Sequence, residues 1–241
     1  MGEEFCWEKL SPSLFICVSS AHKFGTDAFL LSDFAAPRRK DLCCDLGTGC
    51  GIIPLLWFRD DPPRLCYGVD IQKQAIEQLE QSIQKNGLKD RFIPLLTDLK
   101  ELPSLPCGPL DLVTCNPPYK AQGSGILSET DAERIARHEV LCTIEDVCQA
   151  ASRLLRFGGR LCLCQRPERL CDTLCAMRSA GIEPKRVRFV QQRPASAPWL
   201  FLVEGKKGSK PYMTVEPPLL VEGEGGFSQE ILRIYHKKEN L

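Results

Sequence analysis

Residues 45–51 read Asp45-Leu46-Gly47-Thr48-Gly49-Cys50-Gly51, with one apolar run before them and another after. Three glycines at alternate positions let a chain leave a strand, turn sharply, and bring its backbone close to a ligand before a helix begins. The spacing predicts a strand over residues 41–46 and a helix over 52–58. Such a unit belongs at the carboxyl end of a strand in an open, largely parallel sheet, where ligands of this architecture bind.

The rest of the chain repeats the alternation. Strands are expected over 64–69, 92–96, 110–115 and 160–164, because these runs are continuously apolar, as in strands buried on both faces. Helices are expected over 26–34, 72–86, 143–156 and 167–180. The second has Ala75, Ile76, Leu79 and Ile83 as its buried stripe and Asn86-Gly87 as its stop. Thr26 is a candidate cap for the first, and Gly158-Gly159 a candidate close for the third. Residues 184–191 and 200–205 read as two strands with no helix between them, which implies an antiparallel hairpin at one edge. Residues 5–18 read as a short hairpin, 208–228 as irregular, and 231–235 as one more strand. The fold class is therefore α/β: a doubly wound, mostly parallel, seven-stranded Rossmann-like sheet.

The glycine spacing is G-x-G-x-G and departs from the dinucleotide pattern, which places a pyrophosphate on a helix N-terminus. An acidic residue ahead of the loop, Asp45, suits a cationic ligand better than a pyrophosphate. Asp70 ends the following strand, where a carboxylate can accept from both hydroxyls of a ribose. That supports a nucleoside without choosing which one.

A second motif, Asn116-Pro117-Pro118-Tyr119, follows the apolar run 110–115. A planar amine is a poor nucleophile because its lone pair is delocalised. The Asn116 side-chain oxygen and the Pro117 carbonyl can accept its two protons, the prolines fix the direction of that carbonyl, and Tyr119 offers a ring on which a base can stack. No strong general base is needed, so alignment is the main catalytic task.

Together the two motifs resemble those of the class I S-adenosylmethionine-dependent methyltransferases that act on planar amino nitrogens, whose seven-stranded fold has the antiparallel edge inferred above. The resemblance implies that Asp45, Gly47, Gly49 and Gly51 form the donor loop. It implies that Gly25-Thr26-Asp27 closes over the donor's methionine end and that Asp98 accepts from its adenine amino group. Ile71 and Leu99, beside the two acidic residues, and Asn116 complete the expected donor site. Physics alone gives Thr26 and Asp27 a helix-starting role as well.

The aromatic after the prolines leaves adenine N6 and glutamine N5 open as targets. Glutamine-N5 enzymes of release factors carry an N-terminal helical domain of about 70 residues, for which residues 1–44 leave no room. With Ala136-Arg137-His138-Glu139 and the turn at 155–160, the chain resembles the bacterial tRNA1(Val) (adenine-37-N6)-methyltransferases almost end to end. The expected activity is methyl transfer from S-adenosyl-L-methionine to an adenine N6 in tRNA. A protein glutamine N5-methyltransferase, another RNA or DNA amino-methyltransferase, and a tRNA-binding module without turnover stand as alternatives.

At 241 residues the chain suits one methyltransferase domain, divided as an N-terminal hairpin and helix (1–40), a donor half (41–115) and a target half (116–241). The fourteen cysteines lack Cys-x2-Cys pairs and sit mostly in apolar runs, so structural thiols are expected, with no metal. An acidic N-terminus and no apolar run near 20 residues imply a cytoplasmic protein with no membrane partner. A monomer is expected, with a weak homodimer as the alternative. Residues 151–241 carry 16 Lys and Arg against 9 Asp and Glu, whereas residues 1–150 carry a net charge of −7. That asymmetry hints at a polyanion. Lys185, Arg186, Arg188, Arg193, Lys206, Lys207 and Lys210, with Trp199, Phe201 and Tyr212 among them, are the expected RNA contacts.

Overall fold

A computed structural model describes residues 5–19, 24–117 and 142–236. Its centre is one sheet whose main path runs β5-β4-β3-β6-β7-β9-β8, with β10 and β11 both added in parallel to β8. These strands are β3 (Leu42–Leu46), β4 (Leu65–Asp70), β5 (Phe92–Leu96), β6 (Leu110–Cys115), β7 (Leu155–Gln165), β8 (Ile182–Gln191), β9 (Pro198–Lys207), β10 (Thr214–Val215) and β11 (Leu219–Leu220). Only β9 runs antiparallel to its neighbours β7 and β8. The seven-stranded core and its reversed strand match the sequence reading.

The helices are α1 (Thr26–Ala35), α2 (Ile52–Asp60), α3 (Lys73–Lys85), α4 (Ile144–Leu154), α5 (Leu170–Ser179) and α6 (Gln229–Tyr235). Two apolar cores lie on opposite faces of the sheet. Residues of α1, α2, α3 and α6 pack with Cys43, Leu112 and Cys164 on one face. Those of α4 and α5 pack with Cys44, Val113 and Leu163 on the other. Alternation along each strand sends successive side chains to opposite cores, which explains the continuous apolar runs. All fourteen cysteines are free thiols, and most are buried in these cores.

The N-terminal hairpin forms as β1 (Cys6–Lys9) with β2 (Phe15–Val18). The outer edge of β2 is met by side chains of α3 and its C-terminal cap: Phe15 N–H donates to Asn86 Oδ1 at 2.9 Å, and Cys17 N–H to Ser82 Oγ at 2.9 Å.

Several local expectations change. Residues 231–235 belong to helix α6, because Ser228 caps it through the Ile231 amide and Ile231 and Ile234 are buried one turn apart. Gly158-Gly159 does not close α4, which ends at Leu154. The pair forms an irregularity within β7, where the pairing shifts between Leu110 and Leu112. Gly158 takes φ +73°, and a Cβ on Gly159 would stand 2.9 Å from the Leu110 carbonyl oxygen. Thr26 is the first residue of α1, not its cap; Gly25 holds the cap position without a side-chain bond. Residues 208–228 contain β10, β11 and a small hairpin of β12 (Glu222–Gly223) and β13 (Gly226–Phe227). Among the described residues, no helix is long and apolar enough to cross a membrane.

Candidate active site

The chain passes from β5 across the sheet to β6, so β3 and β6 are neighbours at the point where strand order reverses. Ligands of doubly wound sheets bind at such a point. A cavity of about 280 Å³ opens there. Gly47 and Gly49 line it from the loop after β3, and Asp70 and Ile71 from the end of β4. Asp98 and Leu99 line it from the end of β5, and Asn116 and Pro117 from the end of β6. Four strand ends thus bring together eight residues singled out in the sequence.

Asp70 is the brace of this site. It is buried, its Oδ2 accepts from the Gly49 amide at 2.9 Å, and its Oδ1 accepts from the Gln72 amide at 2.9 Å. Each oxygen keeps further lone-pair capacity for a diol in the cavity. Asp98 Oδ1 accepts from the Lys100 amide at 2.9 Å, and Arg153 on α4 donates to the Leu99 and Lys100 carbonyls, which fixes the loop after β5.

The three loop glycines do different work. Gly47 (φ +67°) and Gly49 (φ +55°) have nothing within 4 Å of where a Cβ would stand, so the space they leave faces the cavity. Gly51 (φ +84°) is a packing residue, because a Cβ there would lie 2.4 Å from Leu79 Cδ1. Gly68 in β4 is similar, with Leu79 and Phe92 both at 2.9 Å. It was missed in the sequence reading, since a glycine inside an apolar strand carries no loop signature.

Asp45 is not on the cavity wall. It is buried beneath the loop, where its Oδ1 accepts from Thr114 Oγ1 at 2.6 Å and ties β3 to β6. Burial raises its pKa to about 7, against the lowering effect of that hydrogen bond. The reading of Asp45 as a partner for a cationic donor thus gives way to a role under the loop. Gly25, Thr26 and Asp27 are also absent from the cavity lining. Asp27 Oδ1 accepts from the Ala28 amide of its own helix.

Asn116 Oδ1 accepts from the Cys164 thiol at 3.2 Å. Pro118, Tyr119, Ala136, Arg137, His138 and Glu139 lie outside the described residues, as does the segment 120–133. The sequence reading also missed Val69, Gln72, Thr97, Cys115, Cys142 and Val147, which complete the cavity wall. Thr97 and Cys115 adjoin motif residues and were legible by position; Cys142 and Val147 carry no signal of their own. Burial pushes the Cys142 thiol up to about 11. Among the described residues, no group of three His, Cys, Asp or Glu side chains could hold a metal ion.

The basic C-terminal group divides. Arg186 pairs with Glu204 and Glu216 and donates to the Phe34 carbonyl at the end of α1. Arg188 forms a two-bond pair with Glu230, and Arg193 pairs with Glu222. Lys207 donates to the Ser152 and Leu155 carbonyls at the end of α4. These pairs hold α1, α4, α6 and β12 to the sheet. Lys206 is opposite Arg160 and Glu183, Lys207 is opposite Ile182, and Lys185 donates to the Lys210 carbonyl. The register therefore sets these lysines toward the amino ends of the parallel strands, away from the cavity rim. Phe201 is fully buried and cannot stack on a base. On the carboxyl rim of the sheet, beyond the cavity lining, stand Arg166, which lies over the Trp199 ring at 5.7 Å, and Arg193 in the turn between β8 and β9.

A parallel sheet with one reversed strand next to its outer strand, and a glycine loop tied to an acidic strand end at its switch point, defines a class I S-adenosylmethionine-dependent methyltransferase. The cavity fits that donor: two glycines leave open space, and the Asp70 and Asp98 carboxylates line it as hydrogen-bond acceptors. The chain belongs to the methyltransferase small domain family, whose model matches residues 18–177. It is 30% identical over 192 residues to a tRNA1(Val) (adenine(37)-N6)-methyltransferase of Porphyromonas gingivalis, covering 76% of this chain and 74% of the relative. It is 28% identical over 218 residues to the enzyme of that name from Tolumonas auensis, covering 89% of this chain and 88% of the relative. Among solved structures, an Agrobacterium tumefaciens protein described as a predicted O-methyltransferase superposes with a TM-score of 0.69 at 21% identity, over 88% of this chain and 96% of that one. That likeness concerns the fold.

Proposed function

We propose that this methyltransferase modifies the N6 amino group of an adenine in tRNA, at position 37 of the anticodon loop. The observation that carries the reading is the placement of Asn116 on the same cavity as Asp70 and Asp98. The names of the relatives supply the choice of adenine and tRNA.

Gly47, Gly49, Asp70 and Asp98 would hold S-adenosylmethionine, which when bound supplies an electrophilic methyl carbon. Asn116 Oδ1 would accept one proton of the target amine and the Pro117 carbonyl the other, drawing the nitrogen lone pair out of the ring. Tyr119 would stack on the base. An unpaired loop base costs little to extrude. RNA would approach the carboxyl rim of the sheet, where Arg166, Trp199 and Arg193 stand, with the far lysines contributing little.

Asn116→Ala tests the reading. Donor binding should stay at the wild-type level, while turnover on tRNA falls by about 10²–10³, as when one preorganised polar group is removed from an active site. Full turnover on tRNA by this variant would overturn the clamp role.

A further inference from the structure

Two parts of the cavity wall are built very differently. One belongs to α4, with Val147 near its start and Cys142 just ahead of its cap. This wall is fixed locally by a capping box. The Asp146 amide donates to Thr143 Oγ1 at 3.2 Å, and the Thr143 amide to Asp146 Oδ2 at 2.9 Å. The other wall is Asp98 and Leu99, in a segment after β5 that belongs to no strand or helix. Its own bonds shape a turn: the Lys100 amide reaches Asp98 Oδ1 at 2.9 Å, and the Glu101 amide the Asp98 carbonyl at 3.0 Å. The two walls are neighbours, since the Cys142 thiol feels the charges of Asp98 and Lys100. Arg153 joins them. It stands in the last turn of α4, outside the cavity lining, and its Nη2 donates to the Leu99 and Lys100 carbonyls at 3.0 Å each.

We propose that Arg153 is a positioning residue for the methyl donor: it holds the Asp98–Leu99 wall against α4, so that the place for the donor's adenine exists before the donor arrives. This rests on the reading of Asp98 and Leu99 as the adenine end of the donor site. A guanidinium only donates and a backbone carbonyl only accepts, so the contact has a single sense. One of the carbonyls belongs to Leu99, itself a wall residue. The other belongs to Lys100, whose amide holds the Asp98 carboxylate. A drift of this segment therefore displaces both wall side chains. Arg153 is exposed, and solvent offers its partners an alternative, so the tie contributes little to global stability. It weighs more on a segment that no ladder holds. Without the tie, affinity falls by the fraction of time that the wall is in place. Nothing in the donor motifs encodes this, because Arg153 lies 54 residues beyond Leu99 on another element.

The test uses two variants of the full chain. Arg153→Met keeps the stem and removes the donating groups, whereas Arg153→Lys restores a donor at the tip. Calorimetry with S-adenosylhomocysteine reads affinity, steady-state turnover on tRNA reads kcat and KM, and melting of the ligand-free protein checks the fold. Arg153→Met should weaken binding about fivefold and raise KM for the donor by the same factor. Its kcat and KM for tRNA should stay at the wild-type level, and its Tm within about 3 °C. Arg153→Lys should bind within about twofold of wild type, because a single nitrogen makes both bonds and no fork is needed. Wild-type affinity in Arg153→Met would overturn the proposal. So would an Arg153→Lys variant no better than Met, or a loss of affinity that comes with an equal loss of kcat or a collapse of Tm, since these mark general loosening. Asp98→Ala separates the two claims. If it binds as wild type, the adenine-end reading fails. If it binds weakly while Arg153→Met binds fully, only the positioning role fails.

Discussion

The Asp70 carboxylate and the Gly49 amide lie 2.9 Å apart as acceptor and donor, which makes the end of β4 and the loop after β3 one mechanical unit. The residue expected to meet the donor's ribose also shapes the loop on which the donor would rest. Affinity and local stability are thereby coupled at one side chain.

Asp70→Ala should therefore fail in two ways. Donor affinity measured by calorimetry should drop at least about tenfold, because a charge-assisted hydrogen bond is worth about 1.5–3 kcal/mol. Denaturant unfolding without ligand should show a loss of about 2–4 kcal/mol, since the Gly49 and Gln72 amides lose a charged acceptor. Unchanged stability with lost affinity would mean that the brace contributes nothing to the fold.

Two glycines of one loop should separate packing from binding. Gly51→Ala drives a methyl to within 2.4 Å of Leu79 Cδ1 at a left-handed φ of +84°. It should cost about 3–5 kcal/mol, the sum of overpacking and backbone strain. Gly47→Ala meets open space and should cost only about 1–2 kcal/mol of backbone strain, while donor affinity falls because the methyl enters the cavity. Thermal melts and donor titrations of both variants check the contrast.

Asp45 predicts a pH dependence of stability. Its folded pKa of about 7 lies above the ordinary carboxylate value near 3.8, so the folded state holds a proton that the unfolded state has released between those values. Stability must then fall as pH rises from about 4 to 7, by a few kcal/mol at most. Asp45→Asn keeps an oxygen for the Thr114 hydroxyl and removes the titration. Denaturant unfolding at pH 5 and pH 8 should show a smaller decline in the variant than in wild type.

The fold was legible because β3, β4 and β6 are buried on both faces and read as nearly unbroken apolar runs, and because Asn86-Gly87 and Gly181 punctuate helices where chain direction reverses. The strand-end residues Asp70, Asp98 and Asn116 were legible for the same reason: a polar residue closing an apolar run has few other places to be. What failed was local. The Ile231–Tyr235 stretch has an apolar pattern that fits strand or helix, and the cap from Ser228 decided it. Partners across strands were invisible. Thr114 under Asp45, Leu79 over Gly51 and Cys164 beside Asn116 all come from sheet register or helix packing, which no local window contains.

The charged C-terminal part shows the same limit. Composition reveals an excess of cations but not which carboxylate each one meets. Lys206→Glu, on the rim away from the cavity, should leave KM for tRNA within about twofold. Arg166→Glu should raise it about fivefold or more and reduce the salt dependence of binding by about one phosphate contact. Equal effects at both positions would place RNA across the whole edge of the sheet.

The central claim is tested most directly by incubating the purified protein with labelled S-adenosylmethionine and bulk tRNA, followed by nucleoside mass spectrometry. The predicted result is label in N6-methyladenosine from the anticodon loop, lost in Asn116→Ala. Label confined to protein, or to a different nucleoside, would contradict the account.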